Sequence, residues 1–107
     1  MLEAPQVVAA LAALAQSTRL AIYRLLVVSG SEGLPAGQIA ERLQLAPATL
    51  SFHFKTLSHA GLIESRQEGR YIFYVANYSV MNEMLAYLTE NCCAGAGESC
   101  GVQVSKC

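Results

Sequence analysis

The stretch Leu50-Ser-Phe-His-Phe-Lys-Thr-Leu-Ser-His-Ala-Gly-Leu62 decides how this chain is read. Leu50, Phe54 and Leu57 recur at helical spacing and mark one apolar face. Gly61 is a natural C-terminal stop, and Leu62 can fold back on the helix it ends. Pro47 stands where a first helical position belongs, so the helix is predicted to begin there. Upstream, Leu34-Pro-Ala-Gly-Gln-Ile-Ala-Glu-Arg-Leu43 is predicted as a short helix with Ile39, Ala40 and Leu43 inward, and Gln44-Leu-Ala46 as a tight connector. Two short helices joined in this way, the second amphipathic and ended by glycine, have the proportions of a helix-turn-helix.

Beyond Leu62 the period changes. Ile63-Glu-Ser-Arg-Gln67 and Tyr71-Ile-Phe-Tyr-Val-Ala76 flank Glu68-Gly-Arg70, and β-branched and aromatic residues around a glycine turn predict a β-hairpin. Placed directly after a recognition helix, such a hairpin is a wing, with Arg66 and Arg70 near its tip. Toward the N-terminus, residues 5–15 are predicted as a helix opened by Pro5, with Val7, Val8, Leu11 and Leu14 at helical spacing. A second helix is predicted from a Ser17 cap to Val28, broken at Ser29-Gly-Ser-Glu-Gly33. Ser79 is expected to cap a last helix, Val80–Glu90, whose apolar stripe is Met81, Met84, Leu85 and Leu88. The expected fold is α+β and mostly helical, a winged helix-turn-helix with N- and C-terminal dimerisation helices. Val7, Leu11, Met81, Met84, Leu85 and Leu88 are the candidate dimerisation residues.

Size and charge bound the function. The 107 residues, 53% of them hydrophobic, suit one domain. The formal net charge is −1, but residues 42–75 sum to +2 between acidic ends, a basic centre that a two-fold dimer would double. The start lacks the positive flank of a signal peptide, and no apolar run is long enough to span a bilayer. A cytoplasmic protein without a membrane partner is expected. No nucleotide motif is present, and no His, Asp or Glu is placed to act with the thiols, which argues against an enzyme or a soft-metal carrier of another class.

All four cysteines lie in the last 16 residues, at Cys92, Cys93, Cys100 and Cys107. The chain is expected to divide at this point into a DNA-binding and dimerisation domain, 1–91, and a flexible cysteine-bearing tail, 92–107. In a reducing compartment such a cluster reads as metal-binding or redox chemistry before it reads as structural disulfides. Thiolates select soft ions over magnesium or calcium. Zinc on all four sulfurs, a thiol redox switch, and cadmium or lead are the alternatives open at this point.

Three stretches carry a family resemblance: Leu14-Ala-Gln-Ser-Thr-Arg-Leu20, the helix from Leu50 to Leu62, and Arg66-Gln-Glu-Gly-Arg-Tyr71. Together they resemble the ArsR/SmtB family of winged-helix metal-sensing repressors, with Phe54 where leucine is usual. The resemblance implies a homodimer that binds a palindromic operator and releases it when an effector binds. It places Thr49, Ser51, Phe52, His53, Lys55, Arg66 and Arg70 at the DNA. Thr49 and Ser51 can donate to bases or phosphates, Lys55 suits a phosphate, and Phe52, where relatives commonly have arginine, can meet a thymine methyl.

The family's other effector sites are absent here. Leu34–Ala40 offers no thiol, and Val80–Glu90 offers no histidine. Tyr87-Leu-Thr-Glu-Asn-Cys-Cys93 resembles an arsenite-responsive subgroup in which a Cys-Cys pair ends the last helix and a third cysteine follows. That implies Cys92, Cys93 and Cys100 as ligands to As(III), with Sb(III) fitting the same pyramid of three sulfurs; Cys107 has no counterpart.

Overall fold

The computed structural model describes residues 2–92. The tail from Cys93 onward, including Cys100 and Cys107, lies outside the described residues. The order of elements is α1 (Ala4–Leu14), α2 (Ser17–Ser29), a short 3-10 turn (Gly30–Glu32), β1 (Leu34–Pro35), α3 (Ala36–Leu43), α4 (Pro47–His59), β2 (Ile63–Glu68), β3 (Tyr71–Ala76) and α5 (Tyr78–Leu88). The strands form one antiparallel sheet in the order β1-β3-β2. Helices with a three-stranded sheet make a winged helix-turn-helix, the fold expected from the pattern of residues.

Each helix begins or ends for a local reason. At the corner between α1 and α2, the Gln16 side chain accepts from the Arg19 amide at 2.8 Å. Arg19 Nε in turn donates to the Ala13 carbonyl at 2.6 Å, so Gln16 caps the start of α2 while Arg19 holds the end of α1. Pro47 opens α4. At the other end, the amide of Leu62 donates to Leu57 O at 3.0 Å and that of Gly61 to Ser58 O at 3.0 Å. This is the double closure that a left-handed residue allows, and Gly61 supplies it with φ of +78°. Leu57 and Leu62 are both fully buried, so the hydrophobic contact beside the stop is also made.

Several boundaries differ from the sequence reading; at α2 the cap is Gln16, not Ser17, which is already the first helical residue. Leu34 and Pro35 are not the first helical turn; they form β1, with Leu34 opposite Tyr74 and Pro35 opposite Phe73. A proline fits there because β1 is an edge strand and needs few of its own donors. The last helix starts earlier than Ser79: Asn77 caps it, accepting from the Val80 amide at 3.1 Å, and it stops at Leu88 rather than Glu90.

The core draws on every helix and on all three strands. Ala10, Ile22, Leu26, Ile39, Leu57 and Leu62 are fully enclosed. Leu34, Ile63 and Ala76 close it from the sheet, and Met84 from α5. Tyr78, at the start of α5, donates its hydroxyl to Val27 O at 2.8 Å, tying α5 to the end of α2.

Candidate nucleic-acid interface

Helix α4 has two faces of opposite character. Leu50, Phe54 and Leu57 are buried, and the Phe54 ring stacks on Tyr74 of β3, with centroids 3.9 Å apart and planes at 23°. Burying three large apolar side chains fixes the helix axis and its rotation. Thr49, Ser51, Phe52 and Lys55 then fall on the exposed side, where the sequence reading put them. Phe52 is 64% exposed, a phenyl ring standing among hydroxyls and an ammonium. A cleft of about 240 Å³ lies between α3, α4 and β3, and both Ser51 and Ile72 line it. The outward side of α4 and the wing strand therefore border one surface.

Two residues expected at the DNA are placed differently. His53 is turned inward and is only 8% exposed; its Nδ1 is buried without a hydrogen-bond partner among the described residues. It is adjacent in sequence to exposed Phe52, but one residue of helical rotation, about 100°, carries it to the core side. Arg66 is exposed but already engaged. It pairs with the Glu68 carboxylate, donates through Nη2 to Glu32 O at 2.9 Å and through Nη1 to Ser31 O at 3.4 Å, and lies 5.3 Å from the Phe73 ring centroid. Arg70, in the turn between β2 and β3, is exposed. Sequence reasoning did not single out Tyr71, which stands 63% exposed beside that turn. Its place in a strand run hid it; the adjoining Gly69-Arg70 turn is the signal that would have marked it.

The candidate dimerisation residues divide. Val7 and Met84 are buried in the chain's own core, at 3% and 5% exposure, because their faces of α1 and α5 pack inward. Met81 and Leu85 are half-buried. Leu11 and Leu88 are exposed, and so are Val8 and Tyr87, which belong to the same helices. The outward apolar surface of α1 and α5 is thus Val8, Leu11, Tyr87 and Leu88.

Cys92 is exposed in the turn that follows α5, where its amide donates to Thr89 O at 3.0 Å and Asn91 adopts φ of +57°. Among the described residues no three His, Cys, Asp or Glu side chains gather in a way that could hold a metal ion. The predicted ligands Cys93 and Cys100 lie outside the described residues. Among the described residues no single helix is long and apolar enough to cross a membrane.

A helix-turn-helix domain family matches residues 14–66, from the end of α1 into the wing. The chain is 47% identical over 58 residues to YceK of Bacillus subtilis, an uncharacterised HTH-type transcriptional regulator, and that match spans 54% of this chain and 57% of YceK. It is 31% identical over 78 residues to the transcriptional activator HlyU of Vibrio cholerae, covering 73% of this chain and 69% of HlyU. The solved structure of an ArsR-like transcriptional regulator from Rhodococcus superposes with a TM-score of 0.73 at 29% identity, over 84% of this chain and 81% of that one. The chain belongs to the ArsR/HlyU family of winged-helix transcriptional regulators. Members of this family are DNA-binding transcriptional regulators rather than enzymes.

Proposed function

We propose that this ArsR/HlyU-type regulator is a homodimeric, arsenite-responsive repressor. It binds a palindromic operator through α4 and the wing, and releases it when As(III) or Sb(III) is captured by Cys92, Cys93 and Cys100. The observation that carries the DNA-binding half is the split of α4, with Leu50, Phe54 and Leu57 locked in the core and Thr49, Ser51, Phe52 and Lys55 turned outward. Dimerisation is supported by the apolar residues left exposed on α1 and α5, which a second copy would remove from water.

The effector half rests on donor chemistry. Three thiols within nine residues need little loop closure to meet one ion, and soft sulfur matches a thiophilic metalloid. Cys92 stands exposed directly after α5, so capture there would act on a helix whose outer side faces the partner copy. Release requires that the metalloid bind the DNA-free state more tightly, and the coupling is reciprocal.

The test is a titration of labelled operator DNA with arsenite, using the wild-type protein and the Cys92→Ser and Cys100→Ser variants. Arsenite is expected to release the wild type and to leave both variants bound. An arsenite response that survives both substitutions rules out the tail site, and absence of DNA binding at low salt rules out the repressor. HlyU is named as an activator, so the direction of the transcriptional response is read in the same experiment with a reporter gene.

A further inference from the structure

Arg66 has the composition of a DNA contact and the connections of an internal brace. It lies on β2 opposite Phe73 of β3, and Phe73 lies opposite Pro35 of β1, so these three residues form one row across the whole sheet. The guanidinium runs along that row. It passes the Phe73 ring and reaches past β1 to the carbonyls of Ser31 and Glu32, at the end of the 3-10 turn that follows α2. Carbonyls at a helical C-terminus carry partial negative charge and lack amide partners, so a guanidinium is a fitting cap for them. The Glu68 carboxylate occupies the remaining side of the fork.

The other end of the brace is equally constrained. Gly33, the residue after the turn, has φ of +72°, and a Cβ there would lie 2.3 Å from Tyr74 O and 2.6 Å from Val75 Cγ1. The loop therefore lies flush on β3, which holds the Ser31 and Glu32 carbonyls within reach of β2. By contrast β2 has little burial to hold it, since only Ile63 of its residues is buried.

We propose that Arg66 is a positioning residue: it fixes the outer strand of the wing against the 3-10 turn that follows α2 and so sets where Arg70 meets the DNA. The inference rests on the reading of the wing as a DNA contact. A planar five-donor fork that joins two carbonyls, a carboxylate and a ring cannot be replaced by a lysine of the same charge. Charge and geometry can therefore be separated at this position.

The experiment uses the full chain and a labelled duplex that the wild-type dimer selects from a random library. Affinity is measured across a salt series for wild type, Arg70→Ala, Arg66→Lys and the double variant, with circular dichroism confirming the folded fraction. Each phosphate contact contributes about 0.9 to the slope of log K against log salt. Arg70→Ala is expected to lower the slope by about 0.9 per wing. Arg66→Lys is expected to lower it equally despite its retained charge, and the double variant no further. A wild-type slope for Arg66→Lys overturns the proposal, as does a double variant that loses the sum of the two effects. If Arg70→Ala leaves the slope unchanged, the wing contact itself is absent and the proposal falls with it, an outcome that does not depend on position 66.

Discussion

Helix α4 and the wing border one surface, the one proposed to face DNA, but are held by different forces. Helix α4 is fixed by burial: Leu50, Phe54 and Leu57 sit in the core, and Phe54 stacks on Tyr74. The strand β2 is exposed almost throughout; its backbone is laddered to β3, and beyond the sheet it is tied down by directional polar contacts from one side chain, Arg66. Burial resists salt, whereas contacts of half-exposed charges weaken with it. An ion pair as exposed as Arg66–Glu68 adds about 0–1 kcal/mol to stability. Its contribution is orientation. The helix is the rigid half of the reading surface, and the wing is the half whose position depends on a few hydrogen bonds.

The largest test of this contrast is Leu57→Ala, which removes a fully enclosed side chain from the rigid half. A loss of about 2–5 kcal/mol is expected, read as a lower denaturant midpoint with all probes of structure shifting together. A midpoint close to wild type would show that α4 is held by something other than burial. Gly33→Ala comes next, because the new Cβ meets backbone at a φ that side chains rarely adopt. It should cost about 1–3 kcal/mol and lower DNA affinity beyond what the folded fraction accounts for, since it displaces the footing of the wing. If affinity per folded molecule is unchanged, the loop does not set the wing.

The smallest effect concerns reading rather than folding. Phe52 is mostly exposed, so Phe52→Ala should leave the unfolding midpoint near wild type. If its ring packs on a thymine methyl, replacing that thymine by deoxyuridine in a selected duplex should weaken the wild type by roughly fourfold, the equivalent of about 0.8 kcal/mol for one buried methyl. The same replacement should not affect Phe52→Ala. A uniform loss at every position, or none, would take specificity away from Phe52.

What the sequence disclosed follows the same division. Helix α4, its Pro47 start and its Gly61 stop were legible because local periodicity and local caps determine them. The hairpin was legible for a similar reason, through its glycine turn. Strand β1 was not. Two residues carry no period, and Pro35 before helix formers looks like the start of a helix until Phe73 is known to lie opposite it. The charge of Arg66 was visible, but its carbonyl partners lie 34 and 35 residues away, and no motif announces such a pairing. His53 was half legible, since its place in the motif was clear and its rotation toward the core was not. On α1 and α5 the stripes identified apolar positions but not which of them the chain would use for itself, so Val7 and Met84, read as candidate dimerisation residues, lie in the chain's own core. The thiol site remains legible only as composition, because one of its three proposed ligands falls among the described residues.

The small strand β1 also has a consequence for the order in which the chain assembles. Because β3 is the central strand, β1 has no neighbour until β3 is in place. Its pairing of Leu34 with Tyr74 and Pro35 with Phe73 closes a loop that contains α3, α4 and β2. Thr49, Ser51, Phe52, Lys55, Arg66 and Arg70 all lie inside that loop. The residues proposed to meet DNA thus lie within a closed loop whose entropy their ordering bears. Local opening at β1 would release the reading unit as a whole while α1 and α2 keep their own corner. Amide exchange at Leu34, which has the one N–H of β1, should therefore track exchange across α3 and the wing.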